Sequence, residues 1–324
     1  MDALPHFEYL RPQTIAEVLR MLGCRVGSSL IAGGTDLMAN IRRGLATPDV
    51  LIDITDIEDL NRIEVDNDQL VIGAGVTLDT LGNDQRVAAD FPIIAAAASV
   101  VAGPTHRNVA TLGGNLCQET RCVYYNQSQW WRDSNDGCLK YEGTVCHVAP
   151  GGERCWAAYC GDLAPALLVL EAQVEVMSLD GIRRMALAEL YCDDGQKHLN
   201  LGEGEFISTV RVPASTGIRT DYLKSRLRGA IDFPLAGVAV ALRRKGEILE
   251  NLRVALTGTN CCPVVVGGVA DLTGRALNDS ALEKLERMVK ACIQPMNSTF
   301  ISHQYRRRVA TNLTKRLVQD LYRG

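Results

Sequence analysis

Cysteine spacing is the feature of this sequence that points most directly to chemistry. Six of the 11 cysteines lie between residues 117 and 160, where an even spread along the chain would place about 1.5. Four of them have the wide spacing of Cys122, Cys138, Cys146 and Cys155. Four thiolates can bind either a tetrahedral zinc ion or an iron–sulfur cluster. Because structural zinc sites usually use CxxC pairs and none occurs here, the spacing favours a 4Fe-4S cluster over zinc.

The remaining cysteines of this region are expected to have other roles. Cys117 adjoins a glycine pair and Cys160 adjoins a patterned helix, so both are expected to be inert core residues. His147 follows Cys146, but a neighbour along the chain seldom reaches the same metal, and we do not predict it as a ligand. An odd number of cysteines without an export signal argues against a disulfide framework.

The segment IAGGTDLM, residues 31–38, is the first candidate for anion binding. It places Gly33 and Gly34 between a predicted strand and a helix that begins at Thr35 or Asp36. Because glycines lack a Cβ atom, backbone N–H groups can converge on a phosphate or pyrophosphate at such a turn. An ordinary turn is the alternative.

A second Gly-Gly turn, TLGGNLC at residues 111–117, could supply a facing set of donors that includes the Thr111 hydroxyl and the Asn115 amide. Each pair alone is weak, since 29 glycines give about 2.6 such pairs by chance. The sequence has no GxGxxG after a strand and no GxxxxGK[ST], which argues against Rossmann and P-loop sites. GxSxG and HExxH are absent as well.

Two single charges stand in apolar surroundings, and each has an ordinary structural explanation. Asp162 could cap the helix that begins at Leu163, and Lys224 could lie on the solvent face of a strand. The basic run at residues 306–308 lies on an amphipathic helix and is expected to be a solvated face or a subunit contact.

The amino-acid composition excludes several classes of protein. The 324 residues are 47% hydrophobic and 22% charged, which excludes extensive disorder and fibrous folds. The net charge of -4 disfavours a nucleic-acid partner. The first residues do not resemble a secretory signal, and the longest apolar run, residues 92–103, is too short to span a bilayer. We therefore expect a soluble cytoplasmic protein with no membrane contact.

Hydrophobic periodicity predicts three regions around these residues. Residues 1–55 have the pattern of a small α/β unit, with a helix over 14–22 and a strand over 29–32. Residues 56–216 form a second unit, with a helix capped by Thr77, a helix over 92–102 and short strands over 173–178 and 185–187. A Cys-rich insertion at 119–158, which has neither helical nor strand periodicity, interrupts this unit. Residues 217–324 predict three antiparallel strands followed by two amphipathic helices. A long stretch without regular structure usually means a functional loop.

Five sequence blocks resemble, in order, the FAD-binding medium subunit of the xanthine oxidase family of molybdenum enzymes. The resemblance covers essentially the whole chain, and five ordered blocks are more specific than one glycine pair. It implies an α+β fold: a vanillyl-alcohol-oxidase-type FAD domain in two α/β subdomains, plus a C-terminal antiparallel sheet with helices. The blocks are IAGGTDLM, RNVATLGGNL, GDLAPALLVL, EFISTVRVP and YLKSRLRGAIDFPLAGVAVAL.

The resemblance also implies how FAD is held. Residues 32–37 and 111–115 would bind the pyrophosphate, Asp162 the ribose or adenine end, and Lys224 the isoalloxazine side. Ile207 would pack near the flavin and Ala102 would be a further contact. The full set of expected cofactor residues is Ile31, Ala32, Gly33, Gly34, Thr35, Asp36, Leu37, Ala102, Thr111, Gly113, Gly114, Asn115, Asp162, Ile207 and Lys224.

The insertion at 119–158 departs from the common pattern of the family, in which the second and third blocks are close together. In this respect the chain resembles the β subunits of 4-hydroxybenzoyl-CoA reductases, whose flavin domain carries a loop with a 4Fe-4S cluster. That likeness implies a large subunit with the molybdenum cofactor, a small subunit with two 2Fe-2S clusters, and a dimer of heterotrimers. Chemistry on the aromatic substrate would then occur in another chain, and no catalytic residue is predicted here.

A relatively exposed loop cluster suggests a one-electron donor such as ferredoxin, because a 4Fe-4S cluster passes single electrons and does not accept hydride. Two alternatives stay open. One is a hydroxylase subunit that sends electrons from FAD to NAD or a quinone and has a zinc-stabilised loop. The other is an assembly subunit without a cofactor.

Overall fold

The N-terminal elements are set by local capping and by a short parallel sheet. The computed structural model describes residues 4–214 and 216–324. The Thr14 hydroxyl accepts from the Glu17 N–H at 3.3 Å and begins the first helix. The three strands pair in parallel in the order β1-β3-β2. These elements are β1 (Glu8–Leu10), α1 (Ile15–Cys24), β2 (Ser28–Ile31), α2 (Leu37–Arg42) and β3 (Val50–Asp53).

A five-stranded antiparallel sheet with the order β4-β5-β8-β6-β7 forms the middle of the chain. Its helices come mainly from between β5 and β6. The elements are a 3-10 helix (Glu58–Asn61), β4 (Ile63–Asp66), β5 (Gln69–Gly73), α3 (Leu78–Asn83), α4 (Gln85–Asp90), α5 (Pro92–Ser99), α6 (Pro104–Arg107), α7 (Leu112–Leu116), α8 (Gln129–Asp133), α9 (Leu163–Val169), β6 (Gln173–Ser178), β7 (Gly181–Ala186), a second 3-10 helix (Leu187–Leu190) and β8 (Phe206–Pro213).

The C-terminal part is a second antiparallel sheet, in which β12-β11-β10-β9 are neighbours and β13 pairs with β11. Two amphipathic helices cover one face, as predicted from their periodicity. The elements are β9 (Arg219–Ser225), β10 (Ala236–Lys245), β11 (Ile248–Thr257), β12 (Val264–Val265), a 3-10 helix (Val269–Leu272), β13 (Arg275–Ala276), α10 (Asp279–Cys292) and α11 (His303–Arg323).

Helix α9 joins the two antiparallel sheets, because all seven of its residues are buried. They share one apolar core with β5, β6 and β8 on one side and with Tyr222, Ala239 and Ala255 of the C-terminal sheet on the other. The opposite face of the C-terminal sheet packs on α10 and α11 in a separate core. The start of α9, where the third sequence block begins, is therefore fixed by packing from both sides.

The Cys-rich insertion lacks regular structure, as predicted, apart from the short helix α8. Buried polar contacts help to order it. The guanidinium of Arg132, which is 1% exposed, donates to the carbonyl oxygens of Arg43, Gly44 and Gln127 and stacks on the Tyr141 ring at 4.3 Å. A small apolar cluster of its own accompanies these bonds.

Two local predictions were wrong and a third was right only in part. The helix expected over residues 92–102 ends at Ser99, and Ala102 has a φ of 43° that no helix contains. The strand expected at 185–187 is right in part: residues 185 and 186 end the longer strand β7, and Leu187 begins a 3-10 helix. Arg306 is not solvated: it is 1% exposed and donates to the carbonyl oxygens of Leu235 and Met296. These departures depend on tertiary contacts that local periodicity does not contain.

Within residues 4–214 and 216–324, no helix has the length and apolar character needed to cross a bilayer.

Candidate functional site

The first glycine turn follows strand β2 and presents backbone donors. Gly34 has a φ of 66°, which glycine adopts at little cost. A Cβ on Gly33 would lie 1.9 Å from the Val109 carbonyl oxygen, so only glycine lets the two backbone segments approach. In the described chain, the N–H groups of Gly33, Gly34 and Thr35 donate to no protein acceptor. Helix α2 has only six residues, and the attraction for an anion comes from these turn N–H groups.

The second glycine turn has a different role for each glycine. A Cβ on Gly113 would lie 2.9 Å from that of Ala74, so this glycine permits close packing against the residue that follows β5. Gly114 is open apart from the Thr111 hydroxyl, which accepts from its N–H at 3.1 Å. Asn115 Oδ1 accepts from the Leu163 N–H at 3.1 Å and thereby fixes the start of α9.

The two turns form one wall of a cleft of about 540 Å³. Ligand pockets commonly have this size. Thirteen of the predicted cofactor residues line the cleft: Ile31, Ala32, Gly33, Gly34, Thr35, Asp36, Leu37, Ala102, Thr111, Gly114, Asn115, Asp162 and Lys224.

The other two predicted residues, Gly113 and Ile207, line a second cavity of about 430 Å³. This cavity shares Ala32, Thr111 and Gly114 with the cleft. The residues with free N–H groups, Gly33, Gly34 and Thr35, line the first cavity, and the second cavity adjoins it through the shared lining residues.

Asp162 and Lys224 form a buried ion pair, and both ordinary explanations for them were wrong. Lys224 Nζ lies 2.8 Å from Asp162 Oδ2, and both side chains are 3% exposed. Asp162 makes no helix-capping bond, and its Oδ1 accepts from the Tyr222 hydroxyl at 2.7 Å. Burial raises the pKa of Asp162 although Lys224 and Tyr222 oppose the shift. The two charges are thus in contact, whereas the resemblance assigns Asp162 to the ribose or adenine end of a dinucleotide and Lys224 to the isoalloxazine side.

A strained contact closes one side of the cleft. Ile231, a β-branched residue, has a φ of 71°, and its N–H donates to the carbonyl oxygen of Ala102 at 3.0 Å. Such backbone conformations persist only where surrounding structure imposes them, and they concentrate at functional sites. Ile231 and Phe233 line the cleft beside Ala102. Sequence reasoning identified Ala102 and missed the other two.

Asp36 connects the first glycine turn to the Cys-rich insertion. Its carboxylate makes an ion pair with Arg121 and accepts from the Glu119 N–H at 3.0 Å. Arg121 also lies over the Phe233 ring at 4.8 Å. Arg121 and Glu119 both line the cleft and were missed by the sequence analysis. The charged residues Glu119 and Arg121 follow the second glycine turn within seven residues, and this was the available indication that they line the cleft.

The four cysteines predicted as ligands, Cys122, Cys138, Cys146 and Cys155, line one cavity. They are only 5–8% exposed, so the expectation of a relatively exposed loop site was wrong. Burial raises the pKa of the Cys122 thiol to about 11. A hydrogen bond with Cys155 lowers the pKa of Cys146 to about 5 and raises that of Cys155.

The cysteine cavity does not have the geometry of a site for a single ion. No group of three or more His, Cys, Asp or Glu side chains among the described residues is arranged to hold one metal ion. A zinc ion would draw four sulfurs to about 2.3 Å from one point. His147 lines the cavity, but its Nε2 lies 2.6 Å from the Gly137 carbonyl oxygen. The four thiols thus share a cavity without surrounding one ion position.

Cys117 and Cys160, predicted as core residues, differ in position. Cys160 is 4% exposed, whereas Cys117 is half-buried and lines both cavities that meet at the glycine turns. Burial raises the pKa of the Cys117 thiol to about 12 and that of Cys160 to about 11. Both are therefore protonated and unreactive at neutral pH.

Tyr125 separates the cysteine cavity from the cleft and lines both. It is 5% exposed and belongs to the same apolar cluster as Cys122, Cys138 and Cys155. Lys140 lies over its ring at 4.8 Å. The two candidate sites are thus neighbours with one aromatic side chain as a common wall.

The fold and the cleft define a flavin-nucleotide-binding class of oxidoreductase subunit. Residues 5–215 match the family described as the FAD binding domain in molybdopterin dehydrogenase, and residues 221–321 match the CO dehydrogenase flavoprotein C-terminal domain. The chain belongs to this family, and the predicted fold class is confirmed. It is an FAD-binding subunit of the molybdenum oxidoreductase class.

Two relatives illustrate the breadth of the family. The aldehyde oxidoreductase FAD-binding subunit PaoB of Escherichia coli (strain K12) is 36% identical over 262 residues, 78% of this chain and 81% of that subunit. The carbon monoxide dehydrogenase medium chain of Hydrogenophaga pseudoflava is 28% identical and 96% of each chain is covered. A crystal structure of a Cu,Mo-CO dehydrogenase shares the fold, with a TM-score of 0.82, 24% identity and 99% of both chains covered.

Proposed function

We propose that this chain is an electron-transfer subunit that holds FAD and a 4Fe-4S cluster in a molybdenum enzyme complex. Electrons would enter from ferredoxin at the cluster, reach FAD and leave to the 2Fe-2S clusters of a small subunit. A large subunit would carry the molybdenum cofactor, and the complex would be a dimer of heterotrimers. One observation carries the proposal: four buried cysteines line a cavity that shares Tyr125 with the cofactor cleft.

The cleft residues fit the demands of FAD. The free N–H groups of Gly33, Gly34 and Thr35 would hold the pyrophosphate, and the open side of Gly114 lets it approach closely. The Lys224–Asp162 pair would position one end of the dinucleotide by hydrogen bonds. Bound flavin exchanges either one or two electrons. The protein's part is to hold the ring and to exclude water from it.

The cysteine residues fit a cluster better than a zinc ion. The wide cysteine spacing without a CxxC pair favours a cluster, and the four cysteines line one cavity and are only 5–8% exposed. Thiols with raised pKa values become good ligands only when a metal displaces their protons. The rival with a zinc-stabilised loop and an outward path to NAD or a quinone would need those sulfurs to close on one point.

For the reaction of the whole complex, we propose reductive dehydroxylation of 4-hydroxybenzoyl-CoA to benzoyl-CoA, because the insertion resembles that of those reductases. Two electrons and two protons would be consumed and water released at the large subunit. Aldehyde oxidation is the second candidate, and the 36% identity to an aldehyde oxidoreductase subunit favours it. Assays of the purified complex with both substrates decide between them: 4-hydroxybenzoyl-CoA with a reduced low-potential donor, and aromatic aldehydes with an oxidised acceptor.

The cluster is tested by Cys138→Ser, with Cys24→Ser as control because Cys24 is exposed and outside the cavity. We expect C138S to lose the 4Fe-4S EPR signal of the reduced protein and to keep its FAD. C24S should retain both. A full cluster signal in C138S would show that the ligand set is wrong, and zinc in place of iron would support the rival subunit. A chain that releases no flavin on denaturation would support the cofactor-free assembly subunit.

We also propose that the chain divides into units 1–55, 56–216 with the insertion 119–158, and 217–324. The first sheet ends at Asp53, the second at Pro213, and the third begins at Arg219. Expression of residues 217–324 alone, followed by thermal unfolding, tests the last boundary.

A further inference from the structure

A buried ion pair lies between the two candidate sites. Lys140 Nζ lies 2.6 Å from Glu119 Oε1, and the two side chains are 4% and 33% exposed. The ammonium also donates to the Gly195 carbonyl oxygen at 2.5 Å and to the Thr120 hydroxyl. These bonds satisfy the three donors of a lysine. The charge is therefore fixed in position rather than free to move with solvent.

The two charges of the Lys140–Glu119 pair line different cavities. Lys140 lines the cysteine cavity, and Glu119 lines the cofactor cleft. Tyr125 lines both, and the Lys140 ammonium lies over its ring. The positive end is accordingly nearer to the four cysteines and the negative end nearer to the flavin site.

The other titratable group at the pair does not cancel its charges. His198 Nδ1 lies 3.8 Å from Glu119 Oε1, but burial lowers the pKa of His198, which is therefore neutral at pH 7. Burial alone would raise the pKa of Glu119, yet the charge and hydrogen bond of Lys140 outweigh it and the pKa is lowered. Glu119 is therefore ionised at neutral pH, and its carboxylate lies beside the Lys140 ammonium.

We propose that Lys140 and Glu119 form a fixed dipole that raises the reduction potential of the cysteine-bound cluster and lowers that of the flavin. This inference rests on the proposed function. An ammonium stabilises the more negative, reduced cluster, and a carboxylate disfavours added negative charge on the flavin. Water screens the partly exposed Glu119 more than the buried Lys140. The pair therefore reduces the driving force from cluster to flavin and makes transfer between them more nearly reversible.

The test is the double variant K140M/E119Q in the assembled complex. It removes both charges without leaving one of them buried and unpaired, which makes it the safest variant for folding. We expect the cluster potential, from EPR-monitored titration, to fall. The flavin potential, from absorbance, should rise. K284M is the control, because Lys284 on helix α10 has the same charge and forms an exposed ion pair with Asp271. Both potentials of K284M should stay at their wild-type values.

The two single variants should shift the reduction potentials in opposite directions. K140M leaves Glu119 unpaired and should lower both potentials, with the larger shift at the cluster. E119Q should raise both, with the larger shift at the flavin. A loosened structure would not reverse sign between the two substitutions. If only E119Q folds, its two positive shifts still carry the test.

Failure of this inference differs from failure of the proposed function. Wild-type complex without iron would refute the cluster, whereas the predicted rise of the flavin potential in E119Q could still be measured. Iron-containing complex whose potentials are the same in the wild type and K140M/E119Q would overturn the dipole and leave the proposed function standing.

Discussion

The two glycine turns and the Cys-rich insertion line neighbouring cavities but are held in different ways. The turns are fixed by the apolar core: Gly113 packs on Ala74, and α9 is buried along its whole length. The insertion has a small apolar cluster and depends more on polar bonds, notably those of Arg132. The proposed flavin site is therefore preformed by packing, whereas fewer apolar contacts order the insertion.

This difference predicts that the two sites can be damaged separately. A defect at a glycine turn should remove FAD and leave iron, and a defect in the insertion should do the reverse. A metal cluster would supply the ordering free energy that the insertion otherwise lacks. Three substitutions test that separation.

The largest effect is expected for Gly34→Val. A β-branched side chain at a φ of 66° is strained, and its Cβ would lie 3.0 Å from Met38 Cγ. We expect FAD affinity to fall at least about tenfold, which corresponds to about 1.4 kcal/mol, with iron content unchanged. Flavin released per chain and iron by emission spectroscopy are the measurements.

The matched control for this variant is Gly246→Val. Gly246 has a φ of 58° and no atom near its Cβ position, and it lies in the turn between β10 and β11, away from the cleft. It introduces similar backbone strain and should leave FAD occupancy intact. If G246V lost as much FAD as G34V, general destabilisation would explain both.

The next effect is expected for Arg132→Met in the insertion. The change leaves the carbonyl oxygens of Arg43, Gly44 and Gln127 without this donor and should destabilise the insertion by about 3 kcal/mol. Hydrogen exchange over residues 119–158 should rise and iron content fall. FAD occupancy should stay near the wild-type value, and joint loss of FAD and iron would contradict the separation.

The smallest effect is expected for Thr14→Ala, which removes the cap of α1. The free energy of unfolding should fall by about 1 kcal/mol, with both cofactors retained. Thr14→Ser keeps the hydroxyl and should restore stability. Chemical denaturation measures both, and equal stability of T14A and wild type would show that the cap contributes nothing.

Local sequence patterns predicted the regular elements well where the physical cause is local. The strand at residues 173–178 has the predicted bounds, and Thr77 caps a helix as expected. The helix over 92–102 failed at its end, because Ala102 takes its φ of 43° from contact with Ile231 far along the chain. Periodicity contains no information about that contact.

The candidate site was likewise predicted from the sequence only in part. Glycine pairs and cysteine spacing indicated which segments bear chemistry, because those residue types are few and specific. The bonds of Asp36 to Arg121 and of Asp162 to Lys224 join residues more than 60 positions apart, so they were invisible in the sequence. Burial of Arg306 was missed for the same reason.

Quantitation of iron, acid-labile sulfide and flavin in the purified chain tests the central claim most directly. About four iron and four sulfide per chain, with one FAD, is the predicted result for a single 4Fe-4S cluster. One zinc per chain without iron and sulfide, or FAD alone with fully titratable thiols at positions 122, 138, 146 and 155, would contradict it.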